Sequence, residues 1–532
     1  MSSNSASWTL SLLKNLTSYL DDPTQDRLGL LIEYIKKTVS RLQNDDFRYH
    51  SVSSVQLDKY GLFDKDYSNR IALGREDTFW NRTTRVWDYA YAQLLADDLR
   101  ALSLLLWLTR LFRNLVAGIS TNQEKAVEYE WHVKVLKTLD YCLEIIENKK
   151  INYRDDAIAF TNSSMQALSN TITGHPELQQ LLWSDLMNET IGKGILNRVA
   201  TQEDEVSLTS LLMLVYNSIH NSKARSKILV ESPTGIDLLK YLLCKAELLL
   251  ADENSKRFEM IYAVISELID LDFFPILYDM PSISARRDQP NRHQIALLKF
   301  LDSKLHSSDP GQTQLSPSST THLACIFQQL SPHIINSMKE ATNDSLSDQA
   351  REIQPELMEN RSTLYTALIL LLQCFGNLSQ SEDENTRASL FSGGVVAVAI
   401  SLLRQAEETI PRITKPIKAN SAQQDSGEFA NVKRDLVNVI ANMSYKNRRV
   451  QDEVRNLGGI PVILNQCSID DANPFIREYA IFAVRNLLDN NFENQKLIEQ
   501  LAPIEVLQHP AVSDIGLRAE LNDDGRVHIR RG

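Results

Sequence analysis

Six asparagines stand out by their placement. Asn114, Asn170, Asn217, Asn377, Asn442 and Asn486 each sit near the last turn of an apolar run with helical periodicity, with small or polar residues close behind. Arginine precedes the first and the last, as Arg113-Asn114 and Arg485-Asn486. A carboxamide both donates and accepts hydrogen bonds, so two uses are open to it. The amides can line a groove and clamp the main chain of an extended partner protein, with Arg113 and Arg485 offering planar forks to its carboxylates. Alternatively, each amide satisfies loose carbonyls at its helix end or fixes the next repeat. These eight residues form the candidate partner-binding set.

Catalytic patterns are missing from the sequence. It has no Walker-type phosphate loop, no GxGxxG and no GxSxG, so no catalytic residue and no cofactor is assigned. His322 and Cys325 lie three apart on a helical stretch, one edge of a metal site at most, and no CxxC or HxxxH pair joins them. The nine methionines are scattered without MxxM clusters, which leaves no soft set for copper. Asp97-Asp98 and Asp470-Asp471 read as loop or solvent-face charge. Five cysteines, odd in number and far apart, fall in apolar helical stretches, where a free thiol is a small hydrophobe.

The elements that carry the asparagines are most complete between Lys446 and Leu488. Val450, Val454 and Leu457 mark one face of a short first helix. Gly458-Gly459 breaks it, because glycine enters the left-handed region without a Cβ penalty. Pro461 opens a second helix through Leu464. Phe475 to Leu488 forms a third, with Ile476, Tyr479, Ala480, Ala483, Val484 and Leu487 as its apolar stripe. Three helices in this layout predict an armadillo repeat. The asparagines are spaced by 56, 47, 160, 65 and 44 residues, against about 40–47 for such repeats. A polar insert, 405–427, accounts for the 65-residue interval. Degenerate repeats, including a third helix over Arg257–Leu271 without asparagine, account for the longest.

The fold predicted is therefore all-α, an armadillo-like helical repeat superhelix (α-solenoid). Capping helices are expected over 1–100, armadillo-like repeats over 101–305, a flexible linker over 306–320, further repeats over 321–510, and a tail over 511–532. Glycine, 18 of 532 residues, is about half its usual share, which favours long helices over turn-rich sheets. Ser316-Pro317 in the linker is a candidate phosphorylation site.

A net charge of −12 argues against a general binder of phosphate backbones, and no nucleic-acid partner is expected. Leu102–Leu108 and Val395–Leu403, the most apolar stretches, fall short of a membrane span. With no secretory leader pattern at the N-terminus, a soluble cytoplasmic protein is expected. Nuclear-import adaptors place tryptophan one turn before each asparagine. Here those positions are Arg110, Gln166, Met213, Gln373, Asn438 and Phe482, which speaks against that class. Homo-oligomerisation is left open.

The block Leu436–Leu501, with VIANMSYKNRRVQDEVRNLGGIPVILNQCSIDDANPFIREYAIFAVRNLLDNNFENQKLIEQL, resembles the defining domain of the ataxin-10 family, whose fungal members also carry the label copper transport protein 86. LFRNLVAGISTNQEKA at Leu111–Ala126 is similar to its N-terminal repeat motif, Asn122-Gln123 included. The resemblance implies a non-enzymatic armadillo scaffold that binds proteins and regulates cytokinesis. A copper-handling protein, or a regulatory subunit of a small GTPase or an enzyme, is the alternative.

Overall fold

The computed structural model describes residues 3–44, 68–148, 153–202, 204–249, 255–280, 289–307, 315–344, 355–410, 412, 431–471, 473–501, 517–521 and 527–531. The chain packs as two compact units, Met1–Met280 and Pro281–Gly532.

In the first unit, α1 (Ser3–Asp21) and α2 (Gln25–Asn44) precede four triplets of helices. The first is α3 (Ser68–Gly74), α4 (Asp77–Leu95) and α5 (Ala101–Val116). The second is α6 (Ser120–Glu128), α7 (Trp131–Glu147) and α8 (Arg154–Ile172). Then come α9 (Pro176–Met187), α10 (Ile195–Ala200) and α11 (Glu205–Ile219). The fourth is α12 (Lys223–Glu231), α13 (Pro233–Leu249) and α14 (Lys256–Asp270), with the short α15 (Phe274–Tyr278) behind it. A buried aromatic cluster anchors the early triplets: Trp131 lies 4.9 Å from Phe112 and 5.2 Å from Trp87, ring centre to ring centre.

The second unit opens with α16 (Arg292–His306), α17 (Pro317–Asp344) and α18 (Pro355–Ser379). Two full triplets follow. They are α19 (Glu384–Ser392), α20 (Val395–Thr409) and α21 (Val432–Ser444), then α22 (Arg448–Asn456), α23 (Gly459–Asn465) and α24 (Ile476–Leu488). After α25 (Phe492–Gln500), two strands, β1 (Leu517–Leu521) and β2 (Val527–Arg531), pair antiparallel, with Leu517 opposite Arg531. A tail was expected over 511–532. A hairpin stands there, inside an otherwise all-helical, armadillo-like protein.

The triplets form where the sequence punctuates them. Gly458 takes φ +65° between α22 and α23, the left-handed turn predicted for it, and Gly394 does the same at φ +73° between α19 and α20. A Cβ on Gly459 would stand 3.0 Å from both Ile400 Cδ1 and Val454 Cγ1, so close helix packing explains the second glycine. The first helices are capped by polar residues: Asn447 accepts from the Val450 N–H and Asn491 from the Asn494 N–H. Each such cap contributes about 1 kcal/mol.

Polar composition does not separate the bodies. The expected linker, 306–320, lies within the second unit, because α16 before it packs on α18 after it. Residues 308–314 are outside the described residues, and Ser319 and Thr320 are buried in the first turn of α17. The expected insert begins later than 405, since α20 runs to Thr409; 413–430 lie outside the described residues. A buried lysine ties its two ends. Lys433, at the start of α21, donates from Nζ to the Ile410 carbonyl at 2.6 Å and lies 3.5 Å from a Glu407 oxygen. Burial pushes the Glu407 carboxyl up, but the Gln466 amide and the charges of Lys433 and Arg412 outweigh it and hold the group below its ordinary range.

The segment Glu359–Ser379 of α18 is long and apolar enough to cross a membrane, with mean hydropathy 1.3. It packs between α16 and α21, and 56% of that window is buried.

Candidate partner-binding row

The third helices α5, α8, α11 and α14 pack side by side in chain order, as do α18, α21 and α24 in the second unit. This brings Asn114, Asn170 and Asn217 into one row in the first unit, and Asn377, Asn442 and Asn486 into another in the second.

Most of these amides are spent between helices. Asn170 Nδ2 donates to the Arg113 carbonyl at 3.0 Å, and Asn486 Nδ2 donates to the Ala441 carbonyl at 2.9 Å. Each acceptor directly precedes the asparagine of the previous repeat, so the bond recurs in register. Asn217 donates to Ser169 Oγ at 3.0 Å and Thr173 Oγ1 at 3.2 Å, and Asn442 donates to Ser379 Oγ at 3.2 Å. In α14 the same position is Glu267. Its carboxylate accepts from the Asn221 backbone N–H at 2.7 Å and lies 3.0 Å from His220 Nδ1. Asn377 is half-buried and its amide has no hydrogen bond among the described residues.

The two arginines differ. Arg485 is exposed and makes no ion pair among the described residues, whereas its neighbour Asn486 is 4% exposed. Arg113 is half-buried; its Nη1 donates to Gln166 Oε1 at 2.6 Å and its Nε to Asn114 Oδ1 at 3.2 Å. Burial and the nearby Arg110 guanidinium hold Arg113 below the usual arginine range. Asn114 Nδ2 is buried without a hydrogen-bond partner.

A second set of amides escaped the sequence reading. Gln123 stands nine residues after Asn114, and Gln451 nine after Asn442, each on a first helix. Gln123 Nε2 donates to the carbonyls of Asn170 at 2.7 Å and Thr173 at 3.1 Å. Gln451 Nε2 donates to those of Asn486 at 2.9 Å and Asp489 at 3.3 Å. Each therefore closes the end of the next third helix. Residues eight after an asparagine bond back to the helix just ended: Asn122 to Leu115 and Asn494 to Leu487, both at 2.8 Å, and Arg225 to Ser218. The signal was the fixed offset, readable only once the asparagines are taken as register marks.

The apolar stripe of α24 needs correction. Ile476, Ala480, Ala483 and Leu487 are buried, but Tyr479 is 36% and Ile481 52% exposed. In the second unit α24 is the last third helix, so it has a packed neighbour, α21, on one flank only. His322 and Cys325 share α17, and no group of three metal-ligating side chains occurs among the described residues.

The model of the spinocerebellar ataxia type 10 protein domain matches residues 432–530. It thus reaches past Leu501 and takes in the hairpin. An ataxin-10 homolog of Dictyostelium discoideum is 25% identical over 475 residues, 69% of this chain and 75% of that one. The chain belongs to the ataxin-10 family. Another ataxin-10 homolog, from Schizosaccharomyces pombe, is 24% identical over 394 residues, covering 70% of this chain and 84% of its own. Among solved structures, a designed armadillo repeat protein is similar over 55% of this chain and 99% of its own length, at 13% identity and a TM-score of 0.26. In this ataxin-10 family member the matched domain holds Asn442 and Asn486 of the second unit's row; Asn377 and the whole row of the first unit lie outside the match.

Proposed function

We propose that this chain is a non-enzymatic scaffold of the cytoplasm that holds partner proteins along its third helices, and that it serves cytokinesis. One observation carries the reading. The third helices carry a buried layer of amides that fixes their spacing, and beside it a row of side chains left toward solvent. Arg110, Met213, Gln373 and Phe482 stand one turn before the asparagines; Gln373 and Phe482 are exposed, and Arg110 and Met213 are half-buried. A rigid row of this kind, repeated at fixed spacing, suits an extended segment of another protein. The candidate set narrows accordingly. Arg113, Arg485, Asn377 and the accessible edges of Asn170, Asn217 and Asn442 are the members we assign to a partner, while the buried Asn486 bonds to the neighbouring third helix and the buried Asn114 serves neither use.

The test is affinity purification of the full chain from dividing and from arrested cells. A set of partners enriched in dividing cells is expected. A chain that captures no protein in either state would refute the scaffold reading.

A further inference from the structure

The first unit carries a cluster of cations that meets no acid in an ion pair among the described residues. Trp107 on α5 is half-exposed. The Arg110 guanidinium lies 4.5 Å from its ring centre, and the Lys36 ammonium of α2 lies 5.1 Å from it. Arg113 follows one turn after Arg110 on the same helix, and its hydrogen bonds go to neutral amide oxygens only, on Asn114 and Gln166. None of the three cations forms an ion pair among the described residues. Glu33, one turn from Lys36, is engaged by Lys37 at 2.7 Å. Some other arginines of this unit do meet acids: Arg198 binds Asp140 and Glu147, Arg100 binds Asp98, and Arg257 binds Glu205.

Three unmatched cations side by side repel one another, and in a chain of net charge −12 acids were available to neutralise them. The cluster also opens onto a polar track. From Arg113 the row continues through Gln166 to Ser210 Oγ at 3.3 Å, with Asn162 Oδ1 accepting from both Gln166 at 3.0 Å and Ser210 at 2.9 Å. The half-buried carboxamides of Asn162 and Gln166 can exchange hydrogen bonds with a main chain crossing them, while Ser210, 5% exposed, holds Asn162 from α11.

We infer that Lys36, Trp107, Arg110 and Arg113 form the anion-reading end of a groove for an extended acidic peptide, whose carboxylates meet the cations while its main chain crosses α5, α8 and α11. Partly desolvated guanidinium groups favour carboxylates strongly, and Arg110 presents an unspent fork beside an aromatic face. The inference rests on the scaffold reading and names the chemistry of its partner.

Fluorescence anisotropy with the full chain tests it. The probes are a labelled Asp/Glu-rich peptide, its Lys-rich counterpart, a serine phosphopeptide and a single-stranded RNA. The acidic peptide is expected to bind most tightly, and more weakly as salt rises. Arg110→Glu should weaken it at least tenfold, with only a small change in the melting curve, because the contact that guanidinium makes is with the half-buried face of Trp107. Lys36→Glu, on a separate helix, should act in the same direction. Lys496→Glu, at an exposed position of α25 in the second unit, should leave this affinity as it was. Equal binding by the wild type and both first-unit variants would overturn the assignment, as would preference for the phosphopeptide, the RNA or the basic peptide. If Arg110→Glu and Lys36→Glu still capture the wild-type set of cellular partners, the acidic groove is wrong and the scaffold stands. If the wild type captures none, the scaffold fails whatever the peptides do.

Discussion

Gln451 is the residue whose replacement should most clearly separate a helix-end clamp from ordinary packing. It is 2% exposed, on the short α22. Its Nε2 serves the carbonyls of Asn486, Asp489 and Ser444 at 2.9, 3.3 and 3.4 Å, and its Oε1 accepts from Asn491 Nδ2 at 3.1 Å. Gln451→Met keeps the length and apolar stem but removes every one of these bonds. Stranding a buried polar group costs about 1–3 kcal/mol. Two of these contacts are long and Asn491 retains Asp452 as a second acceptor, so a loss of about 2–4 kcal/mol is expected rather than the full sum. At about 2–4 °C per kcal/mol for a body of this size, melting should fall by roughly 4–16 °C. Denaturant titration of the wild type and variant, followed by hydrogen exchange at the end of α24, reads both the magnitude and the place. A change under about 0.5 kcal/mol, with protection of α24 unaltered, would refute the clamp. Gln123→Met repeats the experiment in the first unit, where the same offset from Asn114 predicts the same direction.

Three further outcomes are expected. Leu487→Ala, at a side chain 1% exposed, should cost about 2–5 kcal/mol in denaturant titration. Ile481→Ser, on the same helix but 52% exposed, should stay within about 0.5 kcal/mol; a larger loss would mean that its face is covered. His132 is buried, and burial lowers its pKa below 6.5 against the opposing pull of Asp185 and Glu130. The folded state then binds the proton less readily than the unfolded chain. Its contribution is intact above pH 6.5 and is lost as pH falls through the folded value. His132→Gln should flatten that part of a pH–stability profile of the full chain.

Much of this architecture was legible in the sequence, and the gaps have physical causes. Glycines at 458 and 459, the prolines at helix starts and the asparagines near helix ends are local signals, because the backbone itself demands them. The three helices of 446–488 fall where those signals place them. Burial on α24 was less legible, since periodicity assigns a stripe but not the number of neighbours. Tyr479 reads as core and is exposed because the row of third helices ends there. The break between the units at Met280–Pro281 falls at a polar, proline-bearing run, PSISARRDQPNR, but a similar run before Pro317 lies within the second unit, so composition alone does not choose between them. The hairpin did leave a trace, Asp524-Gly525 between short alternating runs, but a helical expectation for the whole chain masked it.

The pair Arg485-Asn486 allows recognition and support to be tested one residue apart. The sequence offers them as a pair that either faces a partner or fixes the helix end and the next repeat. The structure gives them separate surroundings. Asn486 is buried and donates to the Ala441 carbonyl at 2.9 Å, so Asn486→Ala strands that acceptor and opens a small void, at about 1–3 kcal/mol. Arg485 is exposed and unpaired among the described residues, so Arg485→Ala should leave stability within about 0.5 kcal/mol. If partners of the second unit read its third-helix row, Arg485→Ala should reduce co-purification while melting stays fixed. Asn486→Ala should lower melting, with any binding loss proportional to the fraction unfolded. Measured together, the two variants separate the effects that a double replacement would merge. Full capture by folded Arg485→Ala would remove that arginine from the interface, and unaltered stability of Asn486→Ala would show that the rung carries no weight in the stack.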